Sequence, residues 1–266
     1  MFKRSLVSLL LALIASAAAA GTLRETVDRT FNARPGATLT LSNTNGSVTI
    51  HTWDQPRIQV KAEKKVESRD DAAAKSTMKE LRIDLTPKDG GLAVMTHYPR
   101  EGNGGGFWDL FSGARSNASV TFDVTVPRSM NLDVENVNGA LHISDLRGKM
   151  NLETTNGKIE VLNCAGRLDA ETTNGSIRAE LTAVDAGQPM SLETTNGRIS
   201  VALPATVGAR VDAETTNGSI NTALPILTNS VGKNSLRGTL NGGGADLKLR
   251  TTNGSIDIGT IGSATR

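Results

Sequence analysis

Five glutamates carry the first suggestion of chemistry. Glu135, Glu153, Glu171, Glu193 and Glu214 each stand three residues before the asparagine of an Asn-Gly pair, and Arg250 holds the same place before Asn253. A row of carboxylates at fixed spacing can bind a divalent cation, meet a basic partner, act as a general acid, or simply stay solvated. Two residues before the glutamates stand Asp133, Asn151, Asp169, Ser191 and Asp212, and two residues after them a set of threonines includes Thr155, Thr173, Thr195 and Thr216, continued by Thr252. Like charges stacked at strand spacing repel, so solvent and salt, lysines and arginines from the corners or the N-terminal excursion, a divalent cation such as calcium, or a basic partner are the expected relief. Calcium is the only cofactor to consider. Acid catalysis on such a face has an analogy in β-helical polysaccharide lyases, but an exposed strand offers no reason for a displaced carboxylate pKa.

These residues are positioned by a repeat. "ETTNG" occurs at 153–157, 171–175, 193–197 and 214–218, with "RTTNG" at 250–254, "NVNG" at 136–139 and "NTNG" at 43–46. The asparagines are Asn45, Asn138, Asn156, Asn174, Asn196, Asn217 and Asn253; after Asn138 the spacings are 18, 18, 22, 21 and 36, the last reading as two coils of which one lacks the signature. Within each unit the residues alternate: Leu168, Ala170 and Thr172 oppose Asp169, Glu171 and Thr173, then Ile177, Ala179 and Leu181 oppose Ser176, Arg178 and Glu180. Period two predicts strands. A unit is therefore strand, Asn-Gly corner, strand and a more variable corner. A meander of hairpins or a barrel needs only the Asn-Gly. Recurrence of the glutamate and both threonines favours coils stacked at about 4.8 Å, where equivalent residues touch and asparagine amides can bond along a column. Glycine is expected to supply a positive φ at the corner.

The expected fold is thus an all-β parallel β-solenoid of about eight 18–22-residue coils with a small helix-containing N-terminal excursion. Two inward columns face one another: Val48, Leu141, Ile159, Ile177, Ile199, Ile220 and Ile256 against Leu41, Val134, Leu152, Ala170, Leu192, Ala213 and Leu249. Residues 39–66 read as a first coil, 70–80 as a short helix capped by Asp70 or Asp71, 81–86, 92–97 and 119–126 as strands, and 100–118 as a Gly-rich loop. Residues 21–130 form the first coil plus an excursion that covers open strand edges, and 131–266 the repeats. Phe107, Trp108 and Phe111 in the loop are either a plug on the solenoid or an anchor for a partner or membrane surface.

Lys3 and Arg4 followed by an apolar run to Ala18-Ala19-Ala20 read as a secretory signal peptide, residues 1–20. A lipid anchor would need a cysteine after the cleavage point, and the one cysteine is Cys164. Removing Lys3 and Arg4 from the 29 basic residues leaves 27 against 27 acidic ones, a neutral balance that gives no field for nucleic acid. No transmembrane segment is expected in the mature chain. With eight aromatics in all, the core must come from aliphatic side chains and threonine.

The signal peptide, "NTNGSVTIHTWDQPRIQVKAEKK", the short helix, "VTFDVTVPRSMNLDVENVNGALHI", the serial "TTNG" units and "GTLNGGGADLKLRTTNGSIDI" together resemble the bacterial putative-adhesin family of β-strand-repeat domains of unknown function. The resemblance covers nearly all of the mature chain. It implies the β-repeat fold and brings no catalytic residue with it.

His51, His97 and His142 lack metal-ligand spacing, and no serine-nucleophile elbow, HExxH, P-loop or paired-cysteine motif occurs. Cys164 reads as a packing residue. The expected function is an exported, non-enzymatic structural or adhesin-like interaction module of the cell envelope, periplasmic or at the cell surface. Its partners would be an envelope protein, a glycan or another copy of itself. The alternatives are a carbohydrate-active, polysaccharide-lyase-like β-helix enzyme, and a periplasmic accessory or sensor subunit of a membrane system.

Overall fold

A computed structural model describes residues 21–99, 117–185, 187–232 and 234–261. The proposed signal peptide and most of the Gly-rich loop, with Phe107, Trp108 and Phe111, lie outside the described residues. The elements run β1 (Thr22–Asn32), β2 (Thr38–Ser42), β3 (Val48–Trp53), β4 (Arg57–Glu67), α1 (Asp71–Glu80), β5 (Arg82–Lys88), β6 (Gly91–His97) and β7 (Asn117–Pro127). There follow β8 (Asn131–Asn138), β9 (Leu141–Ser144), β10 (Met150–Asn156), β11 (Ile159–Ala165), β12 (Leu168–Asn174), β13 (Ile177–Ala183), β14 (Met190–Asn196) and β15 (Ile199–Leu203). The chain closes with β16 (Ala209–Asn217), β17 (Ile220–Thr222), β18 (Leu227–Val231), β19 (Ser235–Leu240), β20 (Ala245–Asn253) and β21 (Ile256–Thr260).

Strands before the Asn-Gly corners gather in one sheet and strands after them in the other, and within each sheet the repeats lie parallel and in register. Leu152 pairs with Ala170, Glu153 with Glu171 and Asn156 with Asn174 in the first sheet, and Ile159 pairs with Ile177 in the second. The result is a solenoid-like stack of two parallel-rich sheets, not a barrel. Both predicted inward columns are buried throughout, with one exception: Ile220 is only partly covered, because β17 is three residues long and forms the edge of its sheet. A continuous aliphatic interior of this kind is the main stabilising contribution of the fold.

The order of the stack departs from the order of the chain. The first sheet runs β18-β19-β16-β20-β14-β12-β10-β8-β2-β6-β5 and the second β1-β4-β7-β3-β9-β11-β13-β15-β21-β17. The last coil, β20 and β21, inserts between the coils at 190–203 and 209–222. The spacing of 36 therefore does not hide a coil without a signature. Residues 227–240 instead form the antiparallel β18–β19 hairpin on the free side of β16. Insertion places Arg250 beside Glu214 and Glu193, where sequential stacking would set those two glutamates against each other.

At the other end the first coil is shorter than its sequence suggests. β2 and β3 join the parallel stack, but β4 turns back antiparallel to β7 and β1. β6 and β7 add a parallel rung beyond β2 and β3, and β5 pairs antiparallel with β6. Helix α1 begins after Asp70, whose carboxylate accepts from the Ala72 amide at 2.9 Å.

Candidate functional site

Each repeated residue type has its own task at the corner. The asparagine side chains form one column in which each amide donates to the carbonyl oxygen of the neighbouring coil: Asn138 to Asn45, Asn156 to Asn138, Asn174 to Asn156, Asn196 to Asn174, Asn253 to Asn196 and Asn217 to Asn253, all between 2.7 and 2.9 Å. The first threonine of each signature is buried and donates its hydroxyl to a glycine carbonyl one coil away, Thr172 to Gly157 at 3.0 Å and Thr194 to Gly175 at 2.9 Å among them. Asn43 and Asn136 fill that place in the first two signatures, Asn43 donating to Val120 O at 3.1 Å and Asn136 to Gly46 O at 3.0 Å.

Glycine is needed for a reason other than the one expected. Only Gly46 and Gly139 of the corner glycines have positive φ. A Cβ at Gly175 would stand 1.9 Å from Gly157 O, and one at Gly197 1.9 Å from Gly175 O. The corners approach so closely that any side chain would strike the neighbouring carbonyl.

This spine aligns the outward columns. From β2 towards β16 the glutamate row reads Ser42, Glu135, Glu153, Glu171, Glu193, Arg250, Glu214, so Arg250 lies inside the row and not at its end. The adjacent row reads Asp133, Asn151, Asp169, Ser191, Lys248, Asp212. In the glutamate row charge relief is therefore confined to one end. Lys248 lies 2.7 Å from Glu193, and Arg250 grips Asp212 with contacts of 2.7 and 3.2 Å while reaching Glu214 at 3.2 Å. Hydrogen bonds from Lys248 and Ser191 hold the Glu193 carboxyl below the usual range, and Arg250, with Arg237, does the same for Asp212. These cations come from the inserted coil and the adjoining hairpin, while a corner cation, Arg167 before β12, holds Asp169 of the adjacent row at 2.9 Å.

Glu135, Glu153 and Glu171 are different: among the described residues none of them has an ion-pair partner. Partial burial, with Glu171 and Glu135 on either side, raises the Glu153 carboxyl above its ordinary value. Where the unrelieved and relieved halves of the row meet, Glu171, Glu193, Glu214, Arg250, Thr195 and Thr252 line an open hollow of about 320 Å³. A second hollow, about 370 Å³, lies at the opposite corner around Val184, Pro204 and Gly243 and has no titratable lining residue.

Residues 37–259 match the family described as Toastrack DUF4097. The chain belongs to the Toastrack DUF4097 family. Among solved structures this Toastrack chain is similar to a putative cell adhesion protein from Clostridium sporogenes, at 14% identity and TM-score 0.46, over 88% of this chain and 99% of the other. It is also similar to a putative adhesin from Bacteroides fragilis, at 10% identity and TM-score 0.38 over 88% and 96%. A putative adhesin from Parabacteroides merdae follows at 8% identity and TM-score 0.29 over 88% and 95%. Among curated proteins none matches the chain.

The other sequence candidates of the Toastrack chain stay apart. His97 contacts Asp84 at 2.8 Å, His142 contacts Glu160 at 3.0 Å, and His51 lies 3.3 Å from Ser144. Among the described residues no group of three or more His, Cys, Asp or Glu is arranged to hold a metal ion. Cys164 is buried at a bulge, and burial pushes its thiol up to about 11. No helix among the described residues is long and apolar enough to cross a membrane.

One residue of the spine escaped the sequence reading. The Tyr98 hydroxyl accepts from the Asn45 amide at 3.0 Å and lies 2.8 Å from Asn45 O and 3.1 Å from Asn43 Oδ1. It ties the Asn45 backbone to the Asn43 side chain at the first coil, where the Asn45 side-chain amide ends the column on Ala118 O at 3.4 Å, and burial pushes the phenol up to about 12. The only signal available was that this is the chain's sole tyrosine, outside the repeat.

Proposed function

We propose that this chain is an exported, non-enzymatic interaction module of the bacterial cell envelope, adhesin-like in its role, that presents the Glu/Thr face to an envelope protein or a glycan. The observation that carries this reading is the row Glu135, Glu153 and Glu171. These carboxylates repeat at the strand spacing on a rigid sheet, flanked by outward threonines, and have no cation of their own among the described residues. Such a grid suits a ligand that is itself periodic or cationic, because each additional contact reuses geometry already fixed by the spine. Export is supported by the basic start and apolar run of residues 1–20. The non-enzymatic reading rests on the face itself. Its best-formed hollow is open, and there Glu193 is engaged by Lys248, and Glu214 by Arg250.

The test is crosslinking in the native envelope from a photoreactive residue placed at Thr173. The face is expected to capture a defined partner, and Glu135→Gln, Glu153→Gln and Glu171→Gln combined should abolish capture with the fold intact. Unchanged capture by the triple variant, or cleavage of an envelope polysaccharide by the purified protein, contradicts the proposal.

A further inference from the structure

Strand β1 is the longest free edge among the described residues. It spans Thr22–Asn32 and pairs with β4 along its whole length, while its other side has no partner among the described residues. In an antiparallel strand alternate residues aim their N–H and C=O groups away from the paired side, so this edge presents a row of unmet donors and acceptors. The other terminal strands are poorer templates: β17 has three residues, β5 contains Pro87, and β18 pairs through an irregular register.

The sequence of β1, TLRETVDRTFN, is self-complementary about Val27. When a second copy is laid antiparallel with Val27 opposite Val27, Glu25 faces Arg29, Leu23 faces Phe31, Thr26 faces Asp28 and Arg24 faces Thr30. Arg24 and Asp28 then lie on the diagonal. Shifting the register by two residues in one direction sets Asp28 against Asp28, and in the other sets Glu25 against Val27 and Arg29 against Leu23. Of these three registers only the two-fold one sets Leu23 against Phe31, Val27 against Val27 and Glu25 against Arg29 with no like charges opposed. Leu23, Val27 and Phe31 share the core-facing side and are only partly buried in one copy, with no strand beyond them among the described residues. A second copy would extend that side.

We propose that the chain pairs with itself through β1 in this two-fold register, joining the two ten-stranded sheets into one. Inward-pointing charges deter edge pairing unless they are matched; Glu25 is held by Lys64 of β4 at 3.1 Å, and the two-fold register sets the second copy's Arg29 on the other side of the same carboxylate.

Sedimentation velocity on the protein purified from cells expressing the full chain, over a micromolar to millimolar series, tests this. The wild type is expected to be a dimer at high concentration. Glu25→Arg alone and Arg29→Glu alone each set like charges face to face and should weaken the dimer about tenfold. Mixing those two variants should restore it, since each supplies the charge the other lacks. Val27→Cys, which changes no charge, should oxidise to a disulfide-linked dimer across the two-fold axis. A wild-type monomer throughout the series, a dimer that neither single variant weakens, a mixture of folded variants that stays monomeric, or a Val27→Cys protein that forms no linked dimer overturns the proposal.

Discussion

Asn253 donates its side-chain amide to Asn196 at 2.7 Å across 57 residues of chain, whereas Asn217, far closer to Asn196 in sequence, bonds to Asn253 from the opposite side. The asparagine column therefore has an inserted member held on both sides and a terminal member held on one. Asn253→Ala should cost about 1–2 kcal/mol in urea unfolding, the net worth of two hydrogen bonds, and Asn217→Ala about half of that. Equal losses would mean that the column adds nothing beyond local turn preference.

Corner glycines should resist even a methyl group. Gly175→Ala places a Cβ 1.9 Å from a backbone carbonyl and should destabilise by about 3 kcal/mol or more, because backbone and not a flexible side chain must move. Gly187→Ala meets nothing within 4 Å and bears only the strain of a φ of 72°, about 1 kcal/mol. Thermal unfolding of the two variants side by side decides between crowding and backbone conformation as the cause.

The two threonines of a signature should respond differently to the same change. Thr172→Val removes the donor to a buried glycine carbonyl and is expected to cost about 1–2 kcal/mol. Thr173→Val lies on the outward face and should stay within about 0.5 kcal/mol. Denaturant midpoints of the pair report whether the recurrence of Thr-Thr has one structural and one surface component.

The acidic row predicts opposite pH dependences for two glutamates. Glu153 has its folded pKa raised above the ordinary value, so the stability it contributes is full below that value and is lost as pH rises through the folded pKa. Glu193 has its folded pKa lowered by Lys248 first, so its contribution is present above the ordinary value and is lost as pH falls through the folded pKa. Glu153→Gln should thus stabilise at pH 7 by a few tenths of a kcal/mol, and Glu193→Gln should destabilise by a similar amount, both effects fading in acid. Unfolding midpoints at neutral and acid pH check the signs.

These differences also explain what could be read from the chain. Period two put Ile177 and Ala170 inside and Glu171 outside, and the recurring Asn-Gly located the corners, since strand alternation and corner chemistry are local properties. The order of coils is not local. Repeats with nearly identical edges are interchangeable stacking partners, so spacing along the chain could not tell that β20 lies between β14 and β16. The available hint was in charge: Lys248 and Arg250 stand where other coils carry aspartate, serine or glutamate, as expected of a coil that must sit between acidic neighbours. The glycine requirement was misjudged for a related reason. Positive φ is a property of one residue, whereas the 1.9 Å approach at Gly175 exists only once two coils are stacked. The candidate face was visible in composition, but the division of its glutamate row into a neutralised half and an unpaired half depends on that stacking order.

The stacking order is tested most directly by paired cysteines at the asparagine column. Neighbouring parallel strands place equivalent Cα atoms about 4.8 Å apart, within disulfide reach, and strands two apart place them at roughly 9–10 Å, beyond it. Cys164 is buried, with its thiol pushed up to about 11, and does not compete. Asn196→Cys with Asn253→Cys, and Asn253→Cys with Asn217→Cys, should each oxidise readily to an internal disulfide, while Asn196→Cys with Asn217→Cys should remain reduced. An internal disulfide in that third protein, with none in the first, would place the coils in chain order and contradict the arrangement on which the acidic face depends.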